Sequence, residues 1–359
     1  MTDAELTRVL DRLVDDVRTR ADRGVRSLRN GVRMYARLDR PPIGSTPKDT
    51  VWQRDGVELW RYRSERRRGG PPLVIVHSLV NRSYIFDLVP GNSMVEVLLD
   101  RGLDVYLIDW GVPDAADAEN SLETYCDDHL PEIVRAAIRT SGAETANVLG
   151  YCFGGVLALL YAAGHTDDPI GSLIALATPV DTTHMAPQMR FGENGFDPDL
   201  VIDETGNVPG SVIGEAIRSL APTAELASYV NLAAKLWDDE YVAAHTAMDT
   251  WSRDEIPFAG AAFRQSADLL GERNAFVDDT VDLGGRHRSL SDISVPFLNV
   301  WGAKDHIVPA GATRPLSELI GSDDVTDLEL DAGHVGLFIG RRAHRHGVPA
   351  MADWIDARS

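Results

Sequence analysis

Ten residues constrain the architecture more than any others. Asn147-Val148-Leu149-Gly150-Tyr151-Cys152-Phe153-Gly154-Gly155-Val156 runs from a short apolar strand through a sharp turn into an apolar helix. The turn thrusts its central side chain outward, because only residues without Cβ let strand and helix pass so closely. The pattern is a G-x-S-x-G elbow with cysteine in place of serine. The positive end of a helix starting near Phe153 favours an anion at that point, which makes Cys152 a candidate nucleophile. A buried structural cysteine beside a tight turn is the competing reading.

The same strand-to-helix alternation recurs along the chain. Apolar runs at Leu73–Val76, Val105–Ile108, Asn147–Leu149, Leu173–Ala177, Phe297–Val300 and Leu328–Leu330 predict strands. Helical stretches are predicted at Ser93–Arg101, Leu122–Arg139, Gly154–Ala163, Thr313–Ile320 and Pro349–Ala357. Continuous apolar strands separated by helices describe a mostly parallel sheet covered on both faces, an α/β fold. A hairpin turning at Asp55-Gly56, with Val57–Tyr62 as its second strand, opens the sheet. Between Val180 and about Leu290 the alternation stops and the pattern becomes helical, with Trp237, Tyr241, Trp251, Phe258 and Phe263 spread through it. That position inside a βα series predicts an inserted cap. The expected organisation is an N-terminal helix and linker (1–44), the first part of the core (45–180), the cap (181–290) and the second part of the core (291–359).

Residues 3 to about 38 carry Leu6, Val9, Leu10, Leu13, Val14 and Val17 at helical spacing, ahead of a Pro41-Pro42 break. Such an amphipathic helix can dock on its own core or on a partner. The formal charge of −20 argues against nucleic acid, whose phosphates need clustered positive charge. No apolar stretch is long enough to span a bilayer, the first residues lack the pattern of a signal peptide, and a cytoplasmic protein is expected. Lysine occurs at only three positions, Lys48, Lys235 and Lys304, which salt adaptation and GC-rich coding explain equally.

A thiol nucleophile needs a base, and the base needs a carboxylate; in the α/β-hydrolase fold these follow the nucleophile in the order acid, then histidine. Asp305 lies in the turn after the Phe297–Val300 strand, and His334 in the glycine-flanked loop after Leu328–Leu330, so both reach the sheet edge that carries Cys152. A structural histidine is the alternative for His334. The backbone N–H groups of Phe153 and Leu79 are the expected oxyanion donors. His306 is a candidate to tune the acid or contact substrate. Arg341 and Arg342 follow the His334 loop and are candidates to meet a phosphorylated substrate, against the reading of a solvated helix start. Cys126 reads as packing, and no histidine or acidic spacing suggests a metal.

With these residues in hand, the chain resembles the class III poly(3-hydroxyalkanoate) synthases. The resemblance runs from about residue 45 to the end. It rests on Val76-His77-Ser78-Leu79-Val80-Asn81-Arg82-Ser83-Tyr84-Ile85-Phe86-Asp87-Leu88, on Asp104–Asp114 with its Asp109-Trp110-Gly111 block, on the Cys152 elbow, and on Lys304–Pro309 with Gly333–Gly336. In the cap, Trp251, Phe263-Arg264-Gln265 and Asp282-Leu283 fit the pattern as well, and Trp251 is a candidate substrate contact. The resemblance implies an acyltransferase that polymerises (R)-3-hydroxyacyl-CoA. Cys152 would hold the acyl chain, His334 would deprotonate the thiol and the incoming hydroxyl, and Asp305 would support His334. It further implies a separate partner subunit, a polymer-granule surface, and CoA as part of substrate and product with no cofactor. His77-Ser78, where small residues or proline are usual, and Ser252–Glu255 depart from the pattern and bear on substrate range and partner contacts. A cysteine thioesterase or esterase, and an inactive granule-surface binding protein, are the alternatives.

Overall fold

The computed structural model describes residues 3–35, 41–187, 196–220 and 224–358. Twelve strands are described: β1 (Lys48–Arg54), β2 (Val57–Tyr62), β3 (Leu73–Val76), β4 (Val105–Asp109), β5 (Ala146–Tyr151), β6 (Ile170–Leu176), β7 (Asn207–Val208), β8 (Phe258–Ala259), β9 (Asp282–Leu283), β10 (Arg286–His287), β11 (Phe297–Gly302) and β12 (Val325–Leu330). The α-helices are α1 (Asp3–Tyr35), α2 (Met94–Asp100), α3 (Leu130–Ser141), α4 (Phe153–Gly164), α5 (Gly210–Ser219), α6 (Ala224–Ala234), α7 (Asp239–Arg253), α8 (Gly260–Ser266), α9 (Ala310–Thr313), α10 (Leu316–Leu319) and α11 (Val348–Asp356).

Eight strands form one sheet in the order β1-β2-β4-β3-β5-β6-β11-β12. The hairpin β1–β2 joins β4 antiparallel, and every pairing from β4 to β12 is parallel. Strands β3, β4, β5 and β11 are buried along their whole length, as expected where helices cover both faces. One apolar cluster packs α3 and α4 on one face, and a second packs α2 and α11 on the other. The strands foreseen from apolar runs all form, each within a few residues of its expected limits.

One local expectation needs correction, and two others gain detail. The helix foreseen over Thr313–Ile320 is two single turns, α9 and α10, because Pro315 cannot continue a helix through Arg314. The stretch foreseen as Leu122–Arg139 is helical from Leu122 on, with a π-helical segment, Thr124–His129, ahead of α3. The N-terminal helix is described as far as Tyr35, and the foreseen residues after it lie outside the described ones.

The helical segment between β6 and β11 is stitched to the core at several points. The indole Nε1 of Trp251 donates to Arg82 O at 2.8 Å, and the Tyr84 hydroxyl donates to Asp254 at 2.9 Å. Gln265 accepts from Leu122 N at 2.6 Å and donates to Glu123 at 2.7 Å. Trp237 does not lie with Trp251: its ring packs under the guanidinium of Arg23 on α1, 4.4 Å away. Among the described residues, no helix is long and apolar enough to cross a membrane.

Candidate active site

The elbow is built by close approach. A Cβ on Gly154 would overlap the carbonyls of Val76 and His77, and one on Gly150 would press into Gly154 and Gly155. Cys152 sits at φ 53° and ψ −122°, a backbone conformation that L side chains rarely adopt. The turn is held because Cys152 N donates to Leu176 O at 2.9 Å and Gly155 N donates back to Cys152 O at 2.9 Å. Gly154→Ala is expected to destabilise the fold by about 3 kcal/mol, because neither the β3 exit nor α4 has room to move. Urea unfolding checks this; an unchanged midpoint would show that α4 can shift aside.

Asp305 follows β11 and is buried. One carboxylate oxygen accepts from Ile307 N and Val308 N, both at 2.9 Å, which fixes its orientation. The other pairs with His334 Nδ1 at 2.7 Å. His334, in the exit loop of β12, lines the same cavity as Cys152. Burial opposes charge on this imidazole, but the neighbouring Cys152 and Asp305 outweigh it, pushing His334 up to about 10. Tyr151 packs its ring 4.9 Å from that of His334.

A cavity of about 240 Å³ opens on Cys152 and His334. Its walls include Val80, Phe153, Met185, Ile213, Trp251, Phe258 and Ile307, so it suits an apolar acyl group. Phe153 opens α4, where the first backbone N–H groups of a helix have no partner within it. Leu79 lies in the loop after β3, whose Val76 and His77 carbonyls pack against Gly154.

The remaining candidates stand apart from this cavity. His306 is exposed. Arg342 pairs with Asp331, and Arg341 lies near Asp238 and Glu240 of the α7 start, so both guanidinium groups already face carboxylates. The arginines between β2 and β3 are paired likewise, Arg61 and Arg67 with Asp104 and Arg66 with Asp100. Cys126 is fully buried, with its thiol near Leu157 O and pushed up by burial. Sequence reasoning passed over Ser78 and Asn81 as side chains, although both line the cavity and lie within the Val76–Leu88 block. Among the described residues, no group of three or more His, Cys, Asp or Glu is arranged to hold a metal.

Residues 71–340 match the α/β-hydrolase fold family. The crystal structure of a lipase candidate from Sulfolobus solfataricus shares the fold, with a TM-score of 0.54 at 16% identity, covering 87% of this chain and 97% of that one. Fold and elbow thus define an α/β-hydrolase-type protein. Within that class, the chain is 34% identical to the poly(3-hydroxyalkanoate) polymerase subunit PhaC of Allochromatium vinosum, covering 93% of this chain and 95% of that one. It is 31% identical to the PhaC subunit of Synechocystis sp., covering 88% and 86%. The chain belongs to the poly(3-hydroxyalkanoate) polymerase PhaC family.

Proposed function

We propose that this chain polymerises 3-hydroxyacyl groups delivered as CoA thioesters, with Cys152 as nucleophile, His334 as acid and base, and Asp305 as the group that orients it. The observation that carries the reading is the His334 imidazole paired with Asp305 and lining one apolar cavity with Cys152, in a chain of this family. The Cys152 thiolate attacks the thioester carbonyl, with the oxyanion held by the N–H groups of Phe153 and Leu79. The carbon–sulfur bond to CoA breaks, and His334 gives its proton to the departing thiolate. The hydroxyl of a second hydroxyacyl unit then attacks the Cys152 thioester, its proton passes to His334, an ester forms and the thiolate is released. CoA is product here, and no resident cofactor or metal takes part.

A thiolate suits this exchange because transfer from one thioester to another is nearly isoenergetic. Polymer rather than free acid also requires that water be kept from the acyl-enzyme, and we assign that task to residues 181–290 acting as a cap, with Trp251 on the cavity wall. A separate partner subunit is part of the proposal. Val25, Leu28 and Val32 are exposed on α1 at helical spacing and support contact there. Association with the polymer granule, in the cytoplasm, follows from the same reading.

The test is purified protein, alone and with its partner, supplied with 3-hydroxybutyryl-CoA, scoring CoA released against hydroxyacyl units found in polymer. Near equality is expected, and Trp251→Ala should raise the share of free acid before it lowers CoA release. If wild type releases CoA and leaves only monomeric acid, the thioesterase reading replaces this one.

A further inference from the structure

The hydrogen bond to Asp305 fixes one nitrogen of the His334 ring and leaves the plane of that ring free to turn about the bond. Against the ring lies Tyr151, the last residue of β5 and the neighbour of Cys152 in the elbow. The two ring centroids are 4.9 Å apart and the planes are inclined at 38°. Both side chains are withdrawn from water, Tyr151 at 2% exposure and the His334 side chain at 9%.

Tyr151 is itself held by other rings. It stands across Phe86 at 5.7 Å and 89° and across Phe338 at 4.8 Å and 78°, and those two rings stack on each other at 4.7 Å. All three are buried, and close-packed rings of this kind transmit position instead of absorbing it.

The ring also has an electrical effect. On taking a proton His334 becomes an imidazolium, and a cation within about 6 Å of an aromatic centroid is attracted by the ring quadrupole. The titratable groups around this imidazole are Asp305 at Nδ1, Cys152 on the shared cavity and Tyr151. Burial, with the negative charges of Cys152 and Asp305, holds the Tyr151 hydroxyl protonated, so this neighbour stays neutral. That hydroxyl has no hydrogen-bond partner among the described residues, so what Tyr151 offers His334 is its ring.

We infer that Tyr151 is a positioning residue for the acid and base chemistry: its ring sets the plane of the His334 imidazole and stabilises the protonated form. The inference rests on the function proposed above and adds to it a residue that acts through His334. An aliphatic side chain would fill much of the space and supply no quadrupole.

The test follows single-turnover acylation of Cys152 by 3-hydroxybutyryl-CoA between about pH 6 and 11, in wild type, Tyr151→Phe, Tyr151→Leu and Tyr151→Met. The alkaline limb of the profile reports loss of the His334 proton that the departing CoA thiolate takes up. Tyr151→Phe should match wild type within about twofold, because the ring is kept and only an unpaired hydroxyl is lost. Tyr151→Leu and Tyr151→Met should slow acylation by about tenfold and move the alkaline limb down by about half a pH unit or more, with the thioester concentration for half-maximal rate unchanged. A role in packing alone would lower the melting temperature and leave the limb in place. An unchanged limb in whichever aliphatic variant folds, or a shifted limb in Tyr151→Phe, overturns the role of Tyr151 while the acyl-enzyme reading stands. Absence of any acyl group on Cys152 in wild type overturns that reading and the role of Tyr151 with it.

Discussion

Cys152→Ala is expected to cut CoA release from 3-hydroxybutyryl-CoA by at least ~10³-fold, with the melting temperature moving by no more than about 2 °C. Activity falls because the acyl group then has nowhere to go. Cys126, the other thiol, is sealed beneath α4 near Leu157 O and held protonated by burial. Stability is spared for two reasons. Alanine carries a Cβ as cysteine does, so the positive φ of residue 152 is no harder to hold. The sulfur borders an existing cavity, so its loss widens that space instead of opening a new void in packed core. CoA release above a few per cent of wild type would remove Cys152 from the role of nucleophile.

His334→Ala should be nearly as damaging to turnover, and Asp305→Asn less so, about 10²-fold, because the imidazole keeps its contact with Cys152 when its orienting partner loses charge. If Asp305→Asn matched wild type, the acid would have to be sought elsewhere. Asp331 is then a poor substitute, since it is engaged by Lys304 and Arg342 outside the cavity. The same imidazole gives a pH signature. In the unfolded chain a histidine releases its proton near 6.5, whereas folded His334 is pushed up to about 10. The folded state therefore binds that proton more tightly, and its contribution to stability is complete below about pH 6.5 and lost as pH rises through about 10. Melting temperature should accordingly decline between pH 7 and 10. In Asp305→Asn, which lacks the carboxylate paired with the ring, that loss should shift to lower pH. Identical profiles for the two proteins would show that the Asp305 carboxylate does not hold the proton on His334.

The sheet and the three residues at its edge were readable because the signals involved are local. Apolar runs such as Leu73–Val76 mark strands buried on both faces, and the polar turns that end them put Cys152, Asp305 and His334 at their carboxyl ends. Parallel pairing brings those ends to one edge whatever lies between. The break between α9 and α10 was also written locally, in Pro315. The π-helical segments at Thr124–His129, Ala267–Glu272 and Ala343–Gly347 were not readable, since one wider turn barely disturbs the apolar spacing of a helix. What each aromatic between β6 and β11 faces depends on tertiary placement: Trp251 reaches the cavity while Trp237 reaches Arg23. The carboxylates that neutralise Arg341 come from residues 238 and 240, about a hundred positions away.

The pairing of β6 with β11 joins neighbours in the sheet that lie about 120 residues apart in the chain. Closing so long a loop costs little more free energy than closing one half its length, about 0.6 kcal/mol per doubling, so the inserted segment can vary in length without unmaking the sheet. Its kinetic effect is larger, because distant pairings form late. Strands β1 to β6, with Cys152 already in its turn, can collapse together during synthesis, before Asp305 and His334 have been made. On the mechanism proposed above, the nascent chain would display the thiol before its base, and chemical competence would arrive with the last two strands. On that mechanism, premature acylation on the ribosome would be disfavoured by the order in which the polypeptide emerges.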